Sequence, residues 1–171
     1  MENLGADEQK TTDDLVERQL RLWNARRLAE REKLNEESSL CFRFLTIARD
    51  EGSLGDELAQ ELSRRLGWHV FDKEIVTRIA ENTNVRENLV RQLDQKSQGL
   101  IQDIVSRLLS AESPAFGVQE YHETLLTTLI CVAAHGSAIL VGRGANVALK
   151  DHERGLCIRV TASLEARVQR P

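Results

Sequence analysis

The sequence predicts an α/β domain with a mostly parallel sheet, preceded by a separate amphipathic helix. Short apolar runs of strand length alternate with segments whose apolar residues recur every three or four positions, a pattern typical of βαβ units. One run, residues 138–141, is apolar throughout, as expected for a strand buried on both faces of a parallel sheet. The first 40 residues instead carry a narrow apolar stripe on a charged background.

The composition indicates a folded domain and excludes several classes of protein. Of the 171 residues, 41% are hydrophobic and 29% are charged, so we expect a buried core. The net charge of −4 argues against nucleic-acid binding. No apolar stretch reaches membrane-spanning length and the acidic N-terminus does not resemble a signal peptide, so we expect no membrane contact and a cytoplasmic location. Cys41, Cys131 and Cys157 lie inside apolar runs without a C-x-x-C pair, which favours reduced core thiols.

Residues 1–40 form the first predicted unit, a charged amphipathic helix followed by a linker. Its apolar stripe consists of Val16, Leu20, Trp23 and, less regularly, Leu28. Two interpretations remain open. In one, the stripe packs on the domain that follows. In the other, residues 11–34 bind a second copy of the chain or a partner protein, because Trp23 is costly to expose.

The second predicted unit, residues 41–171, opens with a strand, a glycine-bearing turn and a helix. The strand is predicted over residues 42–47, and leucines at four-residue steps predict the helix over 58–66. Such a turn can bind phosphate, because backbone N–H groups and the helix dipole point at the anion. The full phosphate-loop motif also carries a lysine, and Gly55 stands in its position here. An ordinary turn between strand and helix is therefore the alternative.

The remaining elements follow in alternation. A strand is predicted over residues 68–72, helices over 75–80, 84–93, 97–109 and 120–134, a strand over 138–141, a strand over 156–160, and a helix from 164. Asp72 and Asn84 are interpreted as helix N-caps, and residues 161–163 as the cap of the last helix.

Four of these segments resemble, in this order, the cytidylate kinase-like family of P-loop nucleotide kinases. They are LTIARDEGSLGDELAQELSRRLG, VFDKEIVTRIA, AILVGRGANVAL and CIRVTASLEARVQR. The third is the most specific, since an apolar strand that ends in Gly-Arg-Gly-Ala-Asn is hard to reach by chance. The resemblance covers about residues 41–170 and implies a three-layer P-loop NTPase-like domain. It also implies transfer of a phosphoryl group from ATP, with Mg²⁺, to a nucleoside monophosphate.

The resemblance further implies which residues contact each ligand. The phosphates of ATP are expected at Arg49, Gly52, Ser53 and Gly55. The acceptor nucleotide is expected at Lys73, Arg78 and Arg143. The transferring phosphoryl group is expected at Arg143, Arg167 and Arg170. The sequence suggests no protein metal site, because its histidines lack metal-ligand spacing.

Three departures from the family pattern keep a second function open. The loop lysine is missing, and the chain ends at Pro171, before the family's lid, so that the domain looks C-terminally incomplete. Four carboxylates also surround the turn: Asp50, Glu51, Asp56 and Glu57. The alternative is a non-catalytic nucleotide-binding or protein-interaction module that is derived from the same fold and acts through the N-terminal helix.

Overall fold

The structure is a computed structural model that describes residues 14, 16–25, 42–93, 95, 98–99, 101–102, 105–106 and 118–169. The chain divides into two units, Met1–Ser39 and Leu40–Pro171, and each is described by itself. In the first unit, residues 16–25 are helical, as the sequence predicts. The stripe residues Val16, Leu20 and Trp23 are buried, whereas Leu28 lies outside the described residues.

The second unit alternates strands and helices. Its elements in chain order are β1 (Phe44–Arg49), α1 (Gly55–Leu66), β2 (His69–Phe71), α2 (Lys73–Glu81), α3 (Thr83–Arg91), α4 (Val118–His135), β3 (Ala138–Val141), α5 (Ala145–Ala148), β4 (Gly155–Val160) and α6 (Leu164–Val168). Residues 98–99, 101–102 and 105–106 are also helical, within the helix that the sequence predicts over 97–109. The rest of that predicted helix lies outside the described residues.

The four strands form one parallel sheet in the order β2-β3-β1-β4. The connection from β1 to β2 crosses β3 toward one edge of the sheet, and the connection from β2 to β3 returns in the opposite direction. Because such connections are right-handed, the two directions place α1 on one face of the sheet and α2 to α4 on the other. The result is the three-layer α/β fold that the sequence predicts. The carboxyl ends of the parallel strands meet at one edge, where open α/β sheets bind their ligands.

The central strands are covered on both faces. On one face, Leu45, Ile47, Ile139 and Val141 pack with Ala59 of α1 in a single apolar cluster. Side chains alternate between faces along a strand. The alternate residues of β1 and β3, Phe44, Thr46, Ala138 and Leu140, are buried as well. The expectation that residues 138–141 form a strand buried on both faces is therefore confirmed.

Helix capping agrees with the sequence at one position and differs at another. The carboxylate of Asp72 accepts hydrogen bonds from the backbone N–H groups of the first turn of α2, including that of Ile75 at 2.9 Å. The predicted cap at Asn84 is wrong. Helix α3 begins earlier, and its N-cap is Asn82, whose side-chain oxygen accepts from the N–H of Val85 at 3.2 Å. Asn82 also ends α2, so one residue closes one helix and opens the next.

The two described cysteines differ in environment. Cys131 on α4 is buried, and burial raises the pKa of its thiol to about 12. Cys157 on β4 is exposed, so the prediction of a core thiol is wrong there. Its strand lies at the edge of the sheet, where alternation leaves side chains uncovered. Cys41 lies outside the described residues. No helix in the described ranges combines the length and apolar character needed to cross a membrane.

Candidate functional site

The β1–α1 turn, residues 50–54, is shaped by local hydrogen bonds and two left-handed residues. The carbonyl of Asp50 accepts from the backbone N–H of Ser53 at 3.2 Å and from its hydroxyl at 2.7 Å. Gly52 and Leu54 have φ values of 74° and 66°. For Leu54 that conformation costs about 1–2 kcal/mol, because its Cβ approaches the following carbonyl. The Ser53 side chain is thus used inside the turn.

The first turn of α1 has no side-chain cap. Leu54 occupies the N-cap position with an exposed apolar side chain. Helices α2, α3 and α6, by contrast, are capped by Asp72, Asn82 and Ser163. The first N–H groups of α1 therefore lack a side-chain acceptor at the positive end of the helix dipole. This arrangement favours an anion.

Helix α6 brings Arg167 against the same turn. A Cβ at Gly52 would lie 2.9 Å from the carbonyl oxygen of Arg167 and 3.3 Å from its Cβ, so only glycine leaves room for the contact. The Nε of Arg167 is buried and has no hydrogen-bond partner within the described part of the chain. A buried donor without a partner costs about 1–3 kcal/mol.

Arg49 reaches the turn from the end of β1. A Cβ at Gly55 would collide with the Cβ of Arg49 and lie 2.9 Å from its Cγ. Farther along the side chain, Nη1 lies 2.8 Å from the position of a Cβ on Gly142. Its Nε is 2.9 Å from the carboxylate of Asp56. The Arg49 side chain therefore lies between the start of α1 and the turn that follows β3.

The acidic residues around the β1–α1 turn are partly neutralised. Asp56 pairs with Arg49, and Asp50 lies 3.6 Å from the guanidinium of Arg159 on β4. Glu51 and Glu57, the other two carboxylates of the set, are exposed. The negative charge that opposes a phosphate here is therefore smaller than the sequence indicates.

Arg143 connects the end of β3 to α2. The turn that carries it has three successive left-handed residues, Gly142, Arg143 and Gly144, with φ values of 77°, 51° and 71°. Nη2 of Arg143 donates to the hydroxyl of Thr77 at 2.6 Å, and Nε lies 3.5 Å from the carbonyl oxygen of Lys73. Its side chain thus lies over the first turns of α2, where the resemblance to the cytidylate kinase-like family predicts the acceptor nucleotide.

The remaining residues predicted to contact ligands are Lys73, Arg78 and Arg170. Lys73 is exposed at the start of α2, and Arg78, later on that helix, is partly buried. No hydrogen bond or ion pair joins the Arg78 side chain to another described residue. Arg170 lies outside the described residues.

The sequence does not identify two residues of this region, Thr77 and Arg159, as part of a site. Thr77, the partner of Arg143, has one signal: it lies four residues after Lys73 and so shares a face of α2 with it. Arg159 has none, because its partner Asp50 lies on a different strand connection far earlier in the chain.

Metal binding by the protein alone has no candidate in the part of the chain that the structure describes. No group of three or more His, Cys, Asp or Glu side chains there is arranged to hold a metal ion. A Mg²⁺ ion that arrives with a nucleotide needs fewer protein ligands, because phosphate oxygens and water complete its coordination.

The fold agrees with a comparison against protein families. The model of the cytidylate kinase-like family matches residues 44–171. The chain belongs to this family. Its resemblance to the family, drawn from four sequence segments, is thereby confirmed, and the α/β fold of the structure is the kinase-like fold that the family implies.

Other comparisons add little to this cytidylate kinase-like chain. No curated protein sequence matches it. A crystal structure of an uncharacterized protein from Eubacterium ventriosum ATCC 27560 matches with 16% identity and a TM-score of 0.40. The match covers 74% of this chain and 57% of that one, so the chain spans little more than half the length of that protein.

Proposed function

We propose that this chain is a nucleotide phosphotransferase, which transfers the terminal phosphoryl group of ATP to a nucleoside monophosphate. One observation carries the proposal: the uncapped first turn of α1 follows a turn that packs against Arg167, and the buried Nε of Arg167 has no hydrogen-bond partner among the described residues. A bound phosphate would satisfy both sets of donors at once. The family supports the same class of ligand.

The donor phosphates would bind at the β1–α1 turn. Backbone N–H groups of Gly52, Leu54 and Gly55 would face their oxygens, and Arg49 and Arg167 would approach from two sides. Ser53 would contact phosphate only after its N–H or its hydroxyl leaves the Asp50 carbonyl, to which both donate. Mg²⁺ would be held mainly by the phosphates themselves and would supply positive charge that neutralises them.

The acceptor would bind between α2 and the turn after β3. Arg143 reaches α2 from the strand end, and Lys73 and Arg78 lie on that helix. An oxygen of the acceptor's phosphate would attack the γ-phosphorus in line, and the bond from that phosphorus to the oxygen of ADP would break. Such a reaction depends on positioning and on positive charge around the equatorial oxygens. We assign that charge to Arg143, Arg167 and Arg170.

Arginine substitutions separate this function from a structural role. We expect Arg167→Ala to weaken Mg·ATP binding about tenfold or more, since it removes charged hydrogen bonds to phosphate. Turnover, followed as ADP release with CMP as acceptor, should fall further, as for other arginines that contact a transferring phosphoryl group. Arg64→Ala is the control: it also removes one arginine of the domain, but an exposed one at the far end of α1.

A binding measurement on the wild-type chain decides between this function and the non-catalytic alternative. Mg·ATP, ADP and CMP are titrated separately while thermal unfolding is followed. A ligand at about 100 times its dissociation constant adds ~2.7 kcal/mol of stability. No shift with any ligand, from a protein that unfolds cooperatively, would refute the nucleotide function. If the chain then binds itself or another protein, and deletion of residues 1–38 abolishes this binding, the result would favour the non-catalytic interaction module.

A further inference from the structure

Position 55 is glycine for a reason other than backbone conformation. Gly55 begins α1, and it is absent from the glycines with positive φ, which are Gly52, Gly67, Gly136, Gly142 and Gly144. An L-residue could therefore adopt its backbone conformation. In the standard phosphate-loop motif this position is the lysine that reaches the phosphates.

Space explains the glycine. A Cβ at position 55 would collide with the Cβ of Arg49, and the next two carbons of the arginine would lie 2.9 and 3.3 Å from it. The collision is with an atom attached directly to the β1 backbone, so a change of rotamer cannot relieve it. Positions 49 and 55 cannot both carry a side chain, and in this chain the side chain belongs to position 49.

The arginine extends through the space beside Gly55 toward the anion site. Its stem passes the first residue of α1, and its guanidinium lies between Asp56 and Gly142. The side chain is 27% exposed, whereas that of Asp56 is 64% exposed. An ion pair this open to water is weak. Phosphate oxygens can therefore replace the Asp56 carboxylate on the same guanidinium, which offers two parallel donors to an oxyanion.

We propose that Arg49 is the phosphate-binding cation of this chain, supplied from the end of β1 in place of the lysine that position 55 lacks, and held by Asp56 until phosphate oxygens replace the carboxylate. The proposal rests on the proposed function for its natural ligand. It also explains why Gly55, at the start of α1, and Gly142, in the turn after β3, both leave room along one arginine side chain.

The test moves the cation from one position to the other. Arg49→Gly removes the side chain, and Arg49→Gly/Gly55→Lys places a lysine in the vacated space. Arg49→Gly/Gly55→Met is the matched control, because methionine fills similar volume without charge. Affinity for Mg·ATP is measured by isothermal titration calorimetry, and folding by thermal unfolding. Arg49→Met, which retains the stem beside Gly55, replaces Arg49→Gly as the single variant if the latter does not fold.

We expect Arg49→Gly and Arg49→Met to bind Mg·ATP about 10- to 100-fold more weakly than wild type. The lysine double variant should recover most of that loss, and the methionine double variant should recover none. Wild-type affinity in either single variant would overturn the proposal, as would equal affinity in the two double variants. If only Arg49→Met folds, its result alone decides.

A second probe separates this proposal from the proposed function. Inorganic tripolyphosphate with Mg²⁺ offers the same oxygens without a nucleoside. If the wild-type chain binds tripolyphosphate but not ATP, and the lysine variant restores that binding, the cation assignment stands while the nucleotide function fails. If ATP binds but the substitutions at position 49 change nothing, the assignment fails and the nucleotide function stands. Binding of neither probe refutes both.

Discussion

The Asp56→Asn substitution removes one negative charge beside the β1–α1 turn while keeping the size of the side chain. Asp56 lies 2.9 Å from the Nε of Arg49, and its side chain is 64% exposed. An ion pair so exposed contributes less than about 1 kcal/mol to folding. We therefore expect the variant to fold with a melting temperature within about 4 °C of wild type. Its effect on phosphate binding should be larger and opposite in sign.

The size of that effect follows from two terms. At about 6 Å in water, a carboxylate repels each unit of phosphate charge by ~0.7 kcal/mol. Screening at physiological ionic strength roughly halves this, which leaves ~0.7 kcal/mol against a doubly charged phosphate, or about threefold in affinity. Freeing Arg49 from its partner adds up to ~1 kcal/mol. Asp56→Asn should therefore tighten Mg·ATP binding by more than the threefold screened term and by up to about 18-fold.

Calorimetric titration of Mg·ATP into the wild-type chain and its variants tests this reasoning. Glu57→Gln serves as the control: Glu57 lies in the same first turn of α1 and has the same charge, but it has no ion pair among the described residues. Its substitution should give only the threefold screened term. In an Arg49→Gly background, Asp56→Asn should also shrink to about threefold, because no arginine remains to be freed. Equal effects of the two substitutions in the wild-type background would refute the competition between Asp56 and phosphate.

Three further predictions concern stability and reactivity. Gly155→Ala should lower the free energy of unfolding in urea by about 1–3 kcal/mol, because the added Cβ would collide with the buried ring of Phe44. Gly99→Ala is the control: Gly99 is helical and has no atom within 4 Å of an added Cβ, so this substitution should be neutral or stabilising. Burial, together with nearby cations, lowers the pKa of His152 below 6.5. The folded protein therefore favours the neutral imidazole, and the stability that His152 contributes is complete above about pH 6.5 and is lost as the pH falls. Wild type should then lose more stability than His152→Asn between about pH 7 and 5, and equal pH profiles would contradict this. The Cys131 thiol, with its pKa raised to about 12, should resist iodoacetamide at pH 8 in peptide mapping until the protein unfolds.

The strands show what local sequence can and cannot determine. Strand β3 begins and ends where the sequence predicts, because four apolar residues without a polar interruption admit a single pattern. Strand β1 is displaced from the predicted residues 42–47 to Phe44–Arg49. Arg49 is polar and follows the apolar run, yet it pairs with Val160 on β4 and so extends the strand. That pairing joins residues more than a hundred positions apart, and no local pattern contains it.

The site divides in the same way. Spacing identifies Gly52 and Gly55 as phosphate-binding candidates, because glycines at a strand-to-helix turn expose backbone donors. Their second role, leaving room for Arg167 and Arg49, depends on the packing of α6 and β1 against the turn. The acidic character of the turn is likewise visible in the sequence. Its partial neutralisation is not, because ion pairs across the fold leave no periodic signal.

The position of β1 in the sheet has a consequence for how the chain is made. Phe44 pairs with Ala138 on one side and with Gly155 on the other, so its two neighbours lie 94 and 111 residues later in the sequence. At about 5–20 residues per second, a ribosome needs roughly 5–20 seconds to supply them. Contacts this distant also fold slowly, because loop closure must precede the pairing. Residues 44–47, which are mostly apolar, therefore stay unpaired in the nascent chain until β3 and β4 have been synthesised, and during that time a chaperone that recognises extended apolar segments can bind them.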